Sequence, residues 1–325
     1  MRAQRFQVAL GVIVLLVAAA GLWIWWRFDS DIAAAHARAA RSGVVVQTRC
    51  CPIEYEQAGH GVPLLMVHGS GGGHDQGMDF AGFLSQHGIR VIAPSRFGYL
   101  GTPLPADASP QAQADAHACL LDALGVERAA VVGVSAGALS AMQMAIRHPA
   151  RVSALILVVP LAYKPPGVAD SAPAPAPLAE KILLSLIGSD FVFWSALHVA
   201  RDQLIRRVLA TPPELVAAAS PSERASVNAL LDSILPVSAR ADGLRNETQV
   251  ATHLQPYDLA AIRVPTLVIS ARDDGYGTYA SAEYTAGRIA NAKFIGFEQG
   301  GHLLVGHGEE VRRAMAGHVI ANARP

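Results

Sequence analysis

Six short apolar runs, at residues 64–67, 91–93, 130–132, 155–159, 266–269 and 294–295, constrain the fold of this 325-residue chain more than any other feature. Each is bounded by turn-forming residues and is too short to be a buried helix, so each reads as a strand. The runs are apolar at consecutive positions, which means that both faces of each strand are covered. Helical stretches separate several of them. Ser109 and Pro110 supply an N-cap and a first-turn proline, Ala116, Leu120, Leu121 and Leu124 form an apolar stripe, and Gly125 ends the helix. This alternation predicts an α/β fold, a mostly parallel, doubly wound sheet covered by helices. Residues 44–46 and 53–56, joined by a turn at Cys50-Cys51-Pro52, predict one more strand pair ahead of it.

The alternation breaks after Pro160. Lys164-Pro165-Pro166 and the alternating Ala/Pro run at residues 172–177 predict a semi-rigid linker. Helical segments follow over about 178–210 and 213–238, and strands resume near Ile262. An insertion of this length is too long for a loop. It predicts a helical lid at the edge where α/β sheets place their ligands.

The N-terminus carries a different signal. Residues 8–26, VALGVIVLLVAAAGLWIWW, contain no charge, and 17 of the 19 are apolar. A helix of that length spans roughly 30 Å, the hydrocarbon thickness of a bilayer. Trp23, Trp25 and Trp26 crowd one end, where indole N–H groups can reach the headgroup layer. A cleaved signal peptide is the rival reading, since Ala18-Ala19-Ala20 could be a cleavage site, but the apolar run continues past it to Trp26. An uncleaved single-pass anchor is therefore expected. Basic residues flank it on both sides, Arg2 and Arg5 before and Arg27, Arg38 and Arg41 after; the expected orientation puts the catalytic part outside the cytoplasm.

Composition excludes other classes. Equal numbers of basic and acidic residues, 26 of each, leave no basic face for a nucleic-acid partner. An apolar content of 51% can bury a core, which rules out disorder. Three cysteines, two of them adjacent, exclude a disulfide scaffold and read as free thiols. His68 and His74 have no carboxylate or cysteine cluster around them in sequence, so neither a metal nor another cofactor is expected.

The chemistry-bearing signal is Gly133-Val134-Ser135-Ala136-Gly137. Gly-x-Ser-x-Gly alone is weak, but here it follows an apolar strand and precedes a helix. A serine at so sharp a turn needs an unfavourable backbone conformation, and small neighbours two residues either side let the strand and helix pack. A serine hydroxyl also needs a base to remove its proton. Of twelve histidines, His302 lies in the glycine-rich loop Gln299-Gly300-Gly301-His302 just beyond the last strand; His307 is a rival that reads as the start of the final helix. A carboxylate must orient that base. The strand at 266–270 delivers Asp273 and Asp274 to the same sheet edge, giving the chain order Ser135, Asp274, His302, with Asp273 as the alternative acid.

From about Gly43 to the C-terminus, this pattern resembles the α/β-hydrolase superfamily, in which a serine elbow precedes the acid and the histidine. The spacing in that family favours Asp274. The resemblance implies that His68-Gly69-Ser70-Gly71-Gly72-Gly73 is the oxyanion loop, with the backbone N–H groups of Ser70 and Ala136 as donors. Ser95 stands where many members have Asp, and a serine nucleophile disfavours dehalogenase and epoxide hydrolase chemistry.

The expected organisation is an anchor at 1–28, a linker at 29–42, a hydrolase core at 43–160 and 261–325, and a lid at 161–260. The expected function is a membrane-anchored serine hydrolase that cleaves a small, ester-like acyl substrate, hydrophobic in the lid reading, through an acyl-enzyme on Ser135. Carbon–carbon bond hydrolysis or acyl transfer by the same triad is the alternative, and a non-catalytic hydrolase-fold binding protein is a third.

Overall fold

The computed structural model describes residues 2–165 and 188–322. An eight-stranded sheet lies at its centre, in the order β1-β2-β4-β3-β5-β6-β7-β8. The strands are β1 (Val44–Gln47), β2 (Pro52–Ala58), β3 (Val62–Val67), β4 (Ile89–Pro94), β5 (Ala129–Val134), β6 (Val152–Val158), β7 (Thr266–Ala271) and β8 (Ala292–Phe297). The helices are α1 (Arg2–Ala39), α2 (His74–Ala81), α3 (Pro110–Ala123), α4 (Gly137–Arg147), α5 (Asp190–Val199), α6 (Arg201–Arg207), α7 (Pro213–Ala218), α8 (Pro221–Ser233), α9 (Ala241–Thr252), α10 (Thr278–Arg288) and α11 (Gly308–Asn322). Strands β3 to β8 are parallel, and β1 and β2 form the antiparallel pair at one edge. The six apolar runs are these parallel strands, with Val159 just past the end of β6.

Two-sided burial explains why consecutive positions are apolar. In β5, Ala129 and Val131 face Leu120 and Leu121 of α3 and Met142 of α4. Ala130 and Val132 face the opposite layer, with Leu84 and with Val311, Met315 and Val319 of α11. Successive side chains alternate between two cores, so neither position can be polar. The chain passes from β3 to β4 on one side and then crosses to β5 on the other. A crevice opens beyond the strand ends at such a switch point. Val67 of β3 is paired with Gly133 of β5 there, so the two loops that follow start side by side.

Helices α5 to α9 lie between β6 and β7 and have a core of their own, including Phe193, Leu204, Val227 and Leu231. The expected linker at 172–177 and the expected helical residues 178–187 lie outside the described residues.

Helix α1 runs for 38 residues without a break, roughly 57 Å. Its apolar part is exposed, for instance Leu15 at 70% and Trp25 at 61%. In the segment expected as a linker, residues 29–39 continue this helix, which docks on the lid. Phe28, Ile32 and Ala35 recur at helical spacing and pack into the lid core. The Trp194 indole donates to Asp31 at 2.9 Å, and Arg38 donates to the carbonyls of Asp232 and Leu235 at 3.1 and 3.0 Å.

The cysteines also depart from expectation. Cys50 is bonded to Cys119 of α3 across 69 residues, leaving Cys51 free. The fold brings the turn after β1 against α3, with the two Cα atoms 6.1 Å apart, so the bridging partner is distant in sequence. Closing a loop of this size removes roughly 4 kcal/mol of chain entropy from the unfolded state in the loop-entropy picture.

Candidate active site

Ser135 caps β5 at a φ of +50°, a region that L-residues occupy only at a cost. Its own backbone is tied down on both sides: its N–H donates to the Val158 carbonyl at 2.9 Å, and its carbonyl accepts from Leu161 at 3.0 Å. The flanking glycines are required by close approach. A Cβ on Gly133 would lie 2.7 Å from Ala138 Cα, and one on Gly137 would lie 2.4 Å from the Val67 and His68 carbonyl oxygens. Helix α4 therefore starts directly against β5 and the end of β3.

The acid and base candidates meet beyond β7 and β8. His302 Nδ1 donates to Asp274 Oδ2 at 2.8 Å, which turns Nε2 away from the carboxylate. Asp274 is buried and also accepts from the Tyr276 N–H, at 2.9 Å, and from the Thr278 hydroxyl. Burial opposes its ionisation, but the His302 charge and these three hydrogen bonds outweigh it and hold the carboxyl below the usual carboxylate range. Asp273 has a different occupation: its two oxygens accept from the Gly301 and Gly300 N–H groups at 2.8 and 3.2 Å. It shapes the histidine loop, while Asp274 holds the ring. His307 stacks on Phe297 and immediately precedes α11. No direct hydrogen bond joins the Ser135 hydroxyl to His302 in this structure.

The loop of residues 68–73 lies against the elbow, where a Cβ on Gly69 would be 3.1 Å from Ser135 Cβ. Among the described residues, nothing accepts the N–H of Ser70 or of Ala136. His68 is buried; its Nε2 accepts from the Arg96 N–H at 3.0 Å and its Nδ1 donates to the Gly69 carbonyl at 2.7 Å. Beside Ala136 a cleft opens that is lined by Phe97, Leu139 and Leu161 together with Arg96, Gln113 and Glu247. Its lining is mixed instead of uniformly apolar.

Several contributors had no sequence signal. Thr278 and Tyr276 hold Asp274, and Tyr276 also meets the His302 ring edge-on at 4.9 Å. The turn between α6 and α7 joins both loops, since the Ala210 carbonyl accepts from Gly275 at 2.9 Å and from His302 at 3.3 Å. Only the spacing of Thr278, four residues after Asp274, could have pointed to a first-turn helix partner.

Two buried histidines give the protein a defined acid response. Burial, with Arg96 adding to it, lowers His117 to about 3 and sets His68 well below the normal histidine range. Both are neutral when folded, whereas the unfolded chain protonates them near pH 6.5, so the unfolded state binds more protons as pH falls through that value. Stability should therefore drop below about pH 6.5, by up to about 1.4 kcal/mol per pH unit for each histidine. His117→Gln should remove about one proton from that slope, and urea unfolding in detergent at pH 7 and pH 5 measures it. An unchanged slope would refute the assignment.

The model of the alpha/beta hydrolase fold family matches residues 62–308. A 2-hydroxymuconate semialdehyde hydrolase of Pseudomonas putida is 44% identical over 103 residues, which are 31% of this chain and 37% of that enzyme. The chain thus spans little more than a third of that curated relative. Among solved structures, an alpha/beta hydrolase fold protein from Nakamurella multipartita aligns with a TM-score of 0.65 at 28% identity, covering 87% of this chain and 100% of that one. A membrane phospholipase A, a bacterial virulence factor, has the same fold, with a TM-score of 0.63 at 21% identity over 97% of this chain and 98% of that one. Since the match over residues 62–308 takes in every parallel strand and the whole helical insertion, the chain belongs to the alpha/beta hydrolase fold family.

Proposed function

We propose that this chain is a membrane-anchored serine hydrolase acting on an ester-like acyl substrate. The observation that carries the reading is the His302–Asp274 pair at the sheet edge that also carries a strained serine elbow. His302 Nε2 takes the Ser135 proton, and the oxygen attacks the carbonyl carbon. The N–H groups of Ser70 and Ala136 hold the resulting oxyanion. His302 then protonates the leaving alcohol as the carbonyl re-forms, and a water activated by the same nitrogen hydrolyses the acyl-enzyme. The Ser135–His302 hydrogen bond forms in the substrate complex, where catalytic contacts commonly tighten.

Helix α1 is the anchor. Its exposed apolar length and terminal tryptophans support a span, and the Cys50–Cys119 bridge supports a body in an oxidising, extracytoplasmic compartment.

Carbon–carbon bond hydrolysis is the second reading, favoured by the 44% identity to the 2-hydroxymuconate semialdehyde hydrolase. Product analysis separates the two. Full-length protein in detergent, given p-nitrophenyl esters of graded chain length and a vinylogous 1,5-diketone, should release nitrophenol and leave the diketone intact. Cleavage of the diketone alone would overturn the ester reading.

A further inference from the structure

We infer that Glu247, on lid helix α9, is a positioning residue that sets the direction of the Ser70 N–H. The inference rests on the serine hydrolase reading above, because it presumes that this N–H receives the oxyanion.

The loop between β3 and α2 is nearly all glycine, and Ser70 is its one side chain between Gly69 and Gly73. Such a backbone has little preference of its own. Its conformation has to be imposed by neighbours. The Gly69 carbonyl and the Ser70 N–H belong to one planar trans peptide, so fixing the oxygen points the N–H the opposite way. That oxygen accepts from Arg96 Nη2 at 3.0 Å and from His68 Nδ1 at 2.7 Å, with a longer bond of 3.3 Å from the Gly72 N–H within the loop. Arg96 is buried, 7% exposed, and a guanidinium there requires a counter-charge. Glu247 supplies it: Oε1 pairs with Arg96 Nη2, and Oε2 accepts from the Ser70 hydroxyl. One carboxylate thus holds both ends of the same peptide, the carbonyl through Arg96 and the amide residue through its side chain.

The rest of the lid supports this geometry. Arg240, fully buried, donates to the Gly72 carbonyl and pairs with Asp75 just beyond the loop. Asn246, next to Glu247, anchors α9 to the core by donating to the Ala108 carbonyl at 3.0 Å. On this side the lid is a fixed wall of the oxyanion site instead of a flap over it. Burying a charged pair is weak as a stability device, whereas a half-met oxyanion site costs rate directly.

The test uses full-length protein in detergent, with a p-nitrophenyl ester for steady-state kinetics and a fluorophosphonate for labelling of Ser135. Glu247→Ala should lower kcat by roughly 10- to 100-fold, short of the loss for deleting a donor outright, with KM within about threefold. Labelling should slow in parallel, since phosphylation also develops charge on an oxygen in this site. Glu247→Gln, which keeps an acceptor for Arg96 and a partner for Ser70 but not the counter-charge, should recover only part of the loss. Ser70→Ala keeps the ion pair and the backbone N–H, so it answers the question if Glu247→Ala does not fold; kcat should fall about fivefold or more at unchanged KM. A double variant no slower than Glu247→Ala would show that the two act as one unit. The inference is overturned if Ser70→Ala keeps kcat within about twofold of wild type, or if Glu247→Ala changes KM and thermal midpoint while kcat holds. If wild type itself takes no label, the serine hydrolase reading fails and this one with it. If wild type labels, Ser135→Ala does not, and the Glu247 and Ser70 variants behave as wild type, only this inference falls.

Discussion

Ser135→Gly should abolish hydrolysis and at the same time make the protein more stable. The serine backbone sits at φ +50°, and an L-residue in that region carries a cost of about 1 kcal/mol or more that glycine escapes. Glycine loses part of this gain through the larger freedom of the unfolded chain. A net stabilisation of about 0.5–1 kcal/mol remains, worth one to a few degrees in thermal midpoint for a chain of this size. Removing the nucleophile, in contrast, should cost roughly 10⁴- to 10⁶-fold in kcat, leaving whatever the oxyanion donors and binding achieve alone. Ser135→Ala should be equally inactive without the stabilisation, because its Cβ retains the strain. Differential scanning of all three proteins with parallel ester kinetics is the measurement. If Ser135→Gly melts below wild type, the strain is not held at this residue; if it keeps more than about 1% of wild-type kcat, Ser135 is not the nucleophile.

Gly133 and Gly137 are visible in sequence because the elbow allows no side chain there, and the contacts a Cβ would make, 2.7 and 2.4 Å, show why. The parallel strands are visible for a similar reason: each position in β5 belongs to one of two cores, so the run cannot alternate. Features that depend on pairing between distant segments left no such trace. Cys50 next to Cys51 says nothing about Cys119, 69 residues away, until the turn after β1 meets α3. Phe28, Ile32 and Ala35 have helical spacing, yet only the position of the lid tells that this face is docked and not solvated. Glu247 and Arg96 look like ordinary surface charges in sequence. Their burial against Ser70 and Gly69 is set by where α9 lands.

Adjacent carboxylates make the sharpest case, because Asp273 and Asp274 are the same residue type and differ only in what they face. Asp274→Asn should lower kcat by about 10⁴-fold with the fold intact. The reason lies in which oxygen is replaced. Oδ1 accepts from a backbone N–H, that of Tyr276, and this donor cannot reverse. The amide of an asparagine must therefore turn its carbonyl to Tyr276 and its NH₂ to the Oδ2 position, against His302 Nδ1. A donor there forces Nδ1 to accept, moving the ring proton to Nε2, and a protonated Nε2 cannot take the Ser135 proton. Stability carries the same signature. The Asp274 carboxyl is depressed when folded, so it contributes stability above its unfolded value near pH 4 and loses it as pH falls through the folded value. The stability gap between wild type and Asp274→Asn should be widest near neutrality and close under acid. Asp273→Asn offers the contrast: it loses one of two backbone N–H partners, at Gly300 or Gly301, and disturbs the loop without altering the tautomer. A drop of about tenfold is expected there, comparable to about one lost charged hydrogen bond. Steady-state kinetics of the two variants side by side decide between them, and equal or reversed losses would move the acid role from Asp274 to its neighbour.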